Sequence, residues 1–99
     1  MFKNGMRPVH PGECLREDFL IPLGMSVNAL AKELHVPTPR INDIVRERRG
    51  ITADTAMRLA RYFDTTPQFW MALQSEYDLR VAQIAKAETI DNEINPRAA

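Results

Sequence analysis

Residues 27 to 46, Val-Asn-Ala-Leu-Ala-Lys-Glu-Leu-His-Val-Pro-Thr-Pro-Arg-Ile-Asn-Asp-Ile-Val-Arg, constrain the fold more than any other stretch, because their apolar positions suit two short helices folded sharply on each other. Leu30, Ala31 and Leu34 lie at i, i+1 and i+4 and share one face of a first helix. Ala31 carries nothing beyond Cβ, so a second helix can approach at the steep crossing, about 90 to 120°, of a helix-turn-helix. His35-Val36 makes the turn and Val36 fills the corner. Ile41 and Ile44, three apart, then face back onto Leu30 and Leu34 and close a shared apolar seam.

The ends of these helices are marked as well. Ser26 is placed to cap the first, and Thr38 to cap the second, with Pro39 at the first helical position, where its missing N–H does no harm. With Ile41 and Ile44 turned inward, Thr38, Arg40, Asn42, Asp43 and Arg46 face outward. That set can donate and accept hydrogen bonds at base edges and phosphates, so the second helix reads as a DNA recognition helix.

Residues 27 to 46 resemble the helix-turn-helix of Cro/repressor-type (XRE family) regulators. Pro-Gly-Glu at 11 to 13, Arg-Ile-Asn-Asp-Ile-Val at 40 to 45, Ile-Thr-Ala-Asp-Thr-Ala-Met-Arg-Leu-Ala-Arg-Tyr-Phe at 51 to 63 and Thr-Pro-Gln-Phe-Trp-Met-Ala-Leu-Gln at 66 to 74 resemble the HigA antitoxins. The likeness covers roughly residues 8 to 80, and the run from 40 to 74 is far more specific than a bare helix-turn-helix. It implies an all-α, five-helix, lambda-repressor-like DNA-binding domain with a long C-terminal helix. It also implies a type II toxin-antitoxin role: repression of the chain's own operon, and neutralisation of a HigB-type mRNA interferase. Two positions depart from the pattern. His35 and Asp64 stand where Gly is usual, and both residue types tolerate left-handed backbone better than most.

A chain of 99 residues with 44% hydrophobic content makes one small domain, near the size at which oligomerisation commonly supplements a single core. A lone Cys14 excludes an internal disulfide, and His10, His35 and Cys14 lack the spacing or cooperating carboxylates of a metal site or a nucleophile. No enzyme, cofactor or metal is expected. Neither a signal sequence nor an 18-residue apolar run is seen, so the expected location is the cytoplasm.

The formal net charge is zero, which counts against a simple DNA binder, since duplex affinity draws on Lys and Arg. The distribution answers part of that objection. Residues 40 to 61 set Arg40, Arg46, Arg48, Arg49, Arg58 and Arg61 against Asp43, Glu47 and Asp54, whereas residues 62 to 99 set Arg80, Lys86 and Arg97 against six acids. Basic charge therefore lies beside the recognition helix. Arg48 and Arg49 follow it directly, where phosphates flank the major groove, and are assigned to phosphate contact. Arg58 and Arg61 are assigned to solvent or salt bridges.

Along the chain, residues 1 to 10 read as an irregular arm, and Pro11-Gly12-Glu13 opens a helix that Pro22-Leu23-Gly24 stops. Thr52 caps a fourth helix carrying Ala56, Leu59, Ala60 and Phe63 on one face. Thr66 caps a fifth, begun by Pro67, whose composition stays helical to about Ala87, with a flexible tail over 88 to 99. A domain this small cannot cover all of that helix. Phe69, Trp70, Leu73, Tyr77, Val81 and Ile84 are the expected seam of a homodimer, with Trp70 divided between that seam and the core. Two-fold symmetry then predicts a palindromic operator with half-sites about 34 Å apart. A stand-alone repressor without a toxin is the nearest competing reading, and a protein-interaction module that no longer binds DNA is the other.

Overall fold

The computed structural model describes residues 7–98, so the arm at 1 to 6 and the last tail residue lie outside the described residues. Five helices and no strand are found among them, as the sequence pattern requires. Helix α1 spans residues 11–23 and is built of an α-turn Pro11–Cys14, a π-helical stretch Leu15–Leu20 and a final turn Ile21–Leu23. Its irregularity has a cause in Pro22. A proline ring inside a helix collides with the carbonyl four residues back, and the widened stretch just ahead of Pro22 gives it room. Gly24, at φ 62°, ends the helix in the left-handed region.

Helix α2 (Val27–Leu34) starts at Ser26, whose hydroxyl accepts from the Ala29 N–H at 3.0 Å, and stops at His35 with φ 59°. Helix α3 runs Thr38–Val45. Its cap differs from the one expected. Pro37, not Thr38, is the N-cap, and its carbonyl accepts from the Arg40 N–H at 3.0 Å. The proline ring fixes Pro37 near φ −64°, so the chain enters the helix one residue early and Thr38 is left exposed. Helix α4 (Ala53–Phe63) is capped by Thr52 and ends at Asp64, φ 57°; helix α5 (Pro67–Glu93) is capped by Thr66. The left-handed corners expected at His35 and Asp64 are therefore present, and Glu47, φ 62°, is a third that the sequence did not announce.

The core joins all five helices. Leu15, Leu30, Ile41, Ile44, Ala56 and Leu59 are each fully buried, and Ala31 sits at the α2–α3 crossing as its small size demands. Trp70 belongs to this core. Its ring lies 5.0 Å from that of Phe19, its indole N–H donates to the Thr65 hydroxyl at 2.8 Å, and none of it is exposed. Such a side chain has no surface left for a second subunit, so it is removed from the expected seam. Leu73 is half-buried and packs in part against the same core.

Helix α5 continues to Glu93, six residues beyond the expected end near Ala87, so residues 88 to 93 are helix and not flexible tail. No glycine or proline interrupts the run before Pro96, which disfavours helix at the residue before it. From Val81 onward every described residue is exposed.

The described part of the arm does have a seat. Arg7, Pro8 and Val9 border a hollow shared with Leu73, Glu76, Tyr77 and Arg80 of α5. His10 is buried, caps α1 by accepting the Gly12 N–H on Nδ1 at 2.8 Å, and meets the Tyr77 ring edge-on at 4.8 Å. Burial holds its imidazole below the ordinary value of 6.5, outweighing the carboxylates of Glu47 and Asp78, which pull the other way. The unfolded chain therefore takes up this proton more readily than the folded one. Stability should be flat above about pH 7 and decline as the pH falls below 6.5. His10→Asn, which keeps a capping acceptor but does not titrate, should flatten that decline in a series of thermal melts; an unchanged profile would assign it to other groups.

Candidate nucleic-acid interface

The outward surface of α3 follows from its inward one. Ile41, Ile44 and Val45 are buried, and at about 100° per residue the opposite direction falls between Pro39 and Asp43, with Arg46 beside them. Thr38, Pro39 and Arg46 are exposed; Arg40, Asn42 and Asp43 are half-buried. Of the expected residues, Asp43 and Arg46 thus lie opposite the core, Arg40 and Asn42 flank them on either side, and Thr38 is exposed at the start of the helix. Pro39, besides starting the helix, presents an exposed apolar ring on this same side.

Four arginines around α3 are paired with two carboxylates. Asp43 accepts from Arg48 at 3.1 Å and lies 3.9 Å from Arg49. Arg40 sits at the edge of α3, and its Nη1 donates to Asp54 of α4 at 2.7 Å. The same carboxylate oxygen accepts from Arg58 at 2.9 Å, and Arg58 reaches on to the Leu34 carbonyl at 2.8 Å. Hydrogen bonds from Arg58 and Arg40 hold the Asp54 carboxyl below its usual range. The salt-bridge assignment of Arg58 is thus correct, and it also satisfies an orphan carbonyl at the end of α2.

The back of the helix is secured by α1. Arg16 donates to the Val45 carbonyl at the C-terminal end of α3, where positive charge is favoured, and pairs with Glu47 at 3.6 Å. Gly12 lies against the Ile44 carbonyl so closely that an added Cβ would fall 1.8 Å from that oxygen. On the far side, Gln74 of α5 accepts the Ile51 N–H at 2.7 Å and so ties down the connector after α3. None of these supports could be derived from spacing, though Pro-Gly-Glu and the final Gln were part of the recognised pattern.

Burial, then a hydrogen bond to Asp18, pushes the Cys14 thiol up to about 11, so it stays protonated at neutral pH. Among the described residues no cluster of His, Cys, Asp or Glu could hold a metal ion, and no helix is long and apolar enough to cross a membrane.

Fold and surface together define a helix-turn-helix protein, and the Helix-turn-helix family matches residues 15–70. The chain is 59% identical over 81 residues to virulence-associated protein I of Dichelobacter nodosus, covering 82% of this chain and 75% of that one. The structure of Pseudomonas aeruginosa antitoxin HigA with the higBA promoter superposes with a TM-score of 0.90 at 56% identity, over 93% of this chain and all of that one. Antitoxin GraA in complex with its operator superposes with a TM-score of 0.90 at 48% identity, over the whole of both chains. The chain belongs to the HigA family of helix-turn-helix antitoxins.

Proposed function

We propose that this protein binds operator DNA as a homodimer, represses the operon that encodes it, and neutralises a HigB-type mRNA interferase. The observation that supports DNA binding most directly is the solvent-facing side of α3, presented on a backbone that matches promoter- and operator-bound relatives at 56% and 48% identity. In this reading Thr38, Asn42, Asp43 and Arg46 meet base edges, with Arg40 at their margin, and Arg48 and Arg49 meet the flanking phosphates.

A single module of this size buries little surface on DNA, so dimerisation supplies affinity by linking two contacts. With Trp70 committed to the core, the surface of α5 that supports a seam is Phe69, Val81 and Ile84, with the half-buried Leu73 and Tyr77 at its margin. Toxin neutralisation rests on family membership alone. DNA and toxin binding both place the working protein in the cytoplasm.

Gel shifts with the region upstream of its own gene test the first part. Arg46→Ala and Asn42→Ala should each weaken binding by about 1 to 3 kcal/mol if they contact bases. Wild-type affinity in both variants would remove α3 from the interface. Co-expression with the neighbouring small open reading frame tests the second part: a harmless neighbour would leave only a repressor.

A further inference from the structure

We propose that Asp54 is a specificity-determining residue of the DNA interface, acting through Arg40: it holds the arginine's charge against α4 and so suppresses binding to DNA of arbitrary sequence. The inference rests on the DNA-binding reading above and deepens it.

The geometry supplies the means. Arg40 lies at the α4 side of the recognition helix, and it borders one open hollow with Arg49, Thr52 and Asp54. Its Nη1 is bound to Asp54 Oδ2 at 2.7 Å, leaving the other terminal nitrogen for an incoming acceptor. Asp54 is itself fixed, since its Oδ2 also accepts from Arg58, which is anchored to the Leu34 carbonyl. It stands in the first turn of α4, where the helix dipole favours an acid, and its depressed titration keeps it ionised at neutral pH.

Specific and non-specific binding feel such a pair differently. Affinity for arbitrary duplex comes from cations that release counterions, and an arginine already neutralised by a carboxylate adds little. The carboxylate also repels nearby phosphates. A base edge is read by orientation, and an arginine whose plane is fixed beforehand loses less freedom on meeting it. Asp54 thus lowers the background more than it lowers the signal.

The test compares wild type, Asp54→Asn, Arg40→Gln and the double variant on two fluorescent duplexes, the upstream region of its own gene and a shuffled duplex of equal length, between about 50 and 200 mM salt. Asp54→Asn should tighten binding to the shuffled duplex about three- to tenfold at the lowest salt and steepen its log–log salt slope by about 0.9. The upstream duplex should tighten less, so that the preference falls at least about threefold. Asp54→Glu should restore the preference, and in the Arg40→Gln background Asp54→Asn should tighten both duplexes slightly and alike, leaving the preference where Arg40→Gln set it. Equal tightening on both duplexes, or the same loss of preference without Arg40, overturns the inference. An unmoved preference in Asp54→Asn overturns it alone, whereas a wild type that prefers neither duplex overturns the DNA-binding reading with it. Asp54 is more than half exposed, and thermal melts of each variant verify that it folds.

Discussion

Gly12→Ala should lower the melting temperature by at least about 10 °C, because the new Cβ would lie 1.8 Å from the Ile44 carbonyl oxygen. That neighbour is backbone within α3, so it cannot swing aside, and α1 and α3 must separate. Overpacking of this kind costs about 1 to 3 kcal/mol, and a clash with backbone belongs at the upper end; 3 kcal/mol corresponds to roughly 12 to 24 °C for a domain of this size. Circular dichroism melts measure it. Gly24→Ala is the comparison: nothing lies within 4 Å of its added Cβ, and only the positive φ of 62° is strained, worth about 1 to 2 kcal/mol. If Gly12→Ala melts as late as Gly24→Ala, the close approach of α1 to α3 is wrong. Operator affinity should fall with it, since α1 is the support on which the recognition helix rests.

The second large effect concerns assembly and leaves the protomer intact. Val81 is 41% and Ile84 69% exposed, and both stand on the part of α5 that protrudes beyond the core. Replacing both with Asp should leave the helical signal of the protomer in place while light scattering reports half the wild-type mass. Operator affinity should then fall about 100-fold or more, since the second half-site contact is no longer linked to the first. Retention of a dimer would move the seam elsewhere on the chain; a monomer that keeps full affinity would remove the need for one.

Much of this was legible in the chain because the signals were local. Ser26, Thr52 and Thr66 mark helix starts with side chains that bond within three residues, and Ile41 with Ile44 fixes which side of α3 faces the core. The misses share a different cause. Thr38 failed as a cap because the preceding Pro37 already met the requirement, a competition between neighbours that cap preference alone does not resolve. Trp70 could be core or seam until the positions of Phe19 and Phe63 were known, since helical periodicity gives a face and not its partner. The seating of His10 on Tyr77, the Gly12 contact and the Arg40–Asp54–Arg58 chain all join residues from different elements. No spacing rule encodes them.

The corner between α2 and α3 carries a further consequence. A glycine at position 35 would take up the reversed backbone easily, but it would also leave the disordered chain many more conformations to surrender on collapse, and the folded hinge freer to flex. The imidazole-bearing residue accepts slight torsional strain in exchange for a stiffer elbow. The reading element is therefore held at its angle before any duplex arrives, and little further ordering is required at the moment of contact.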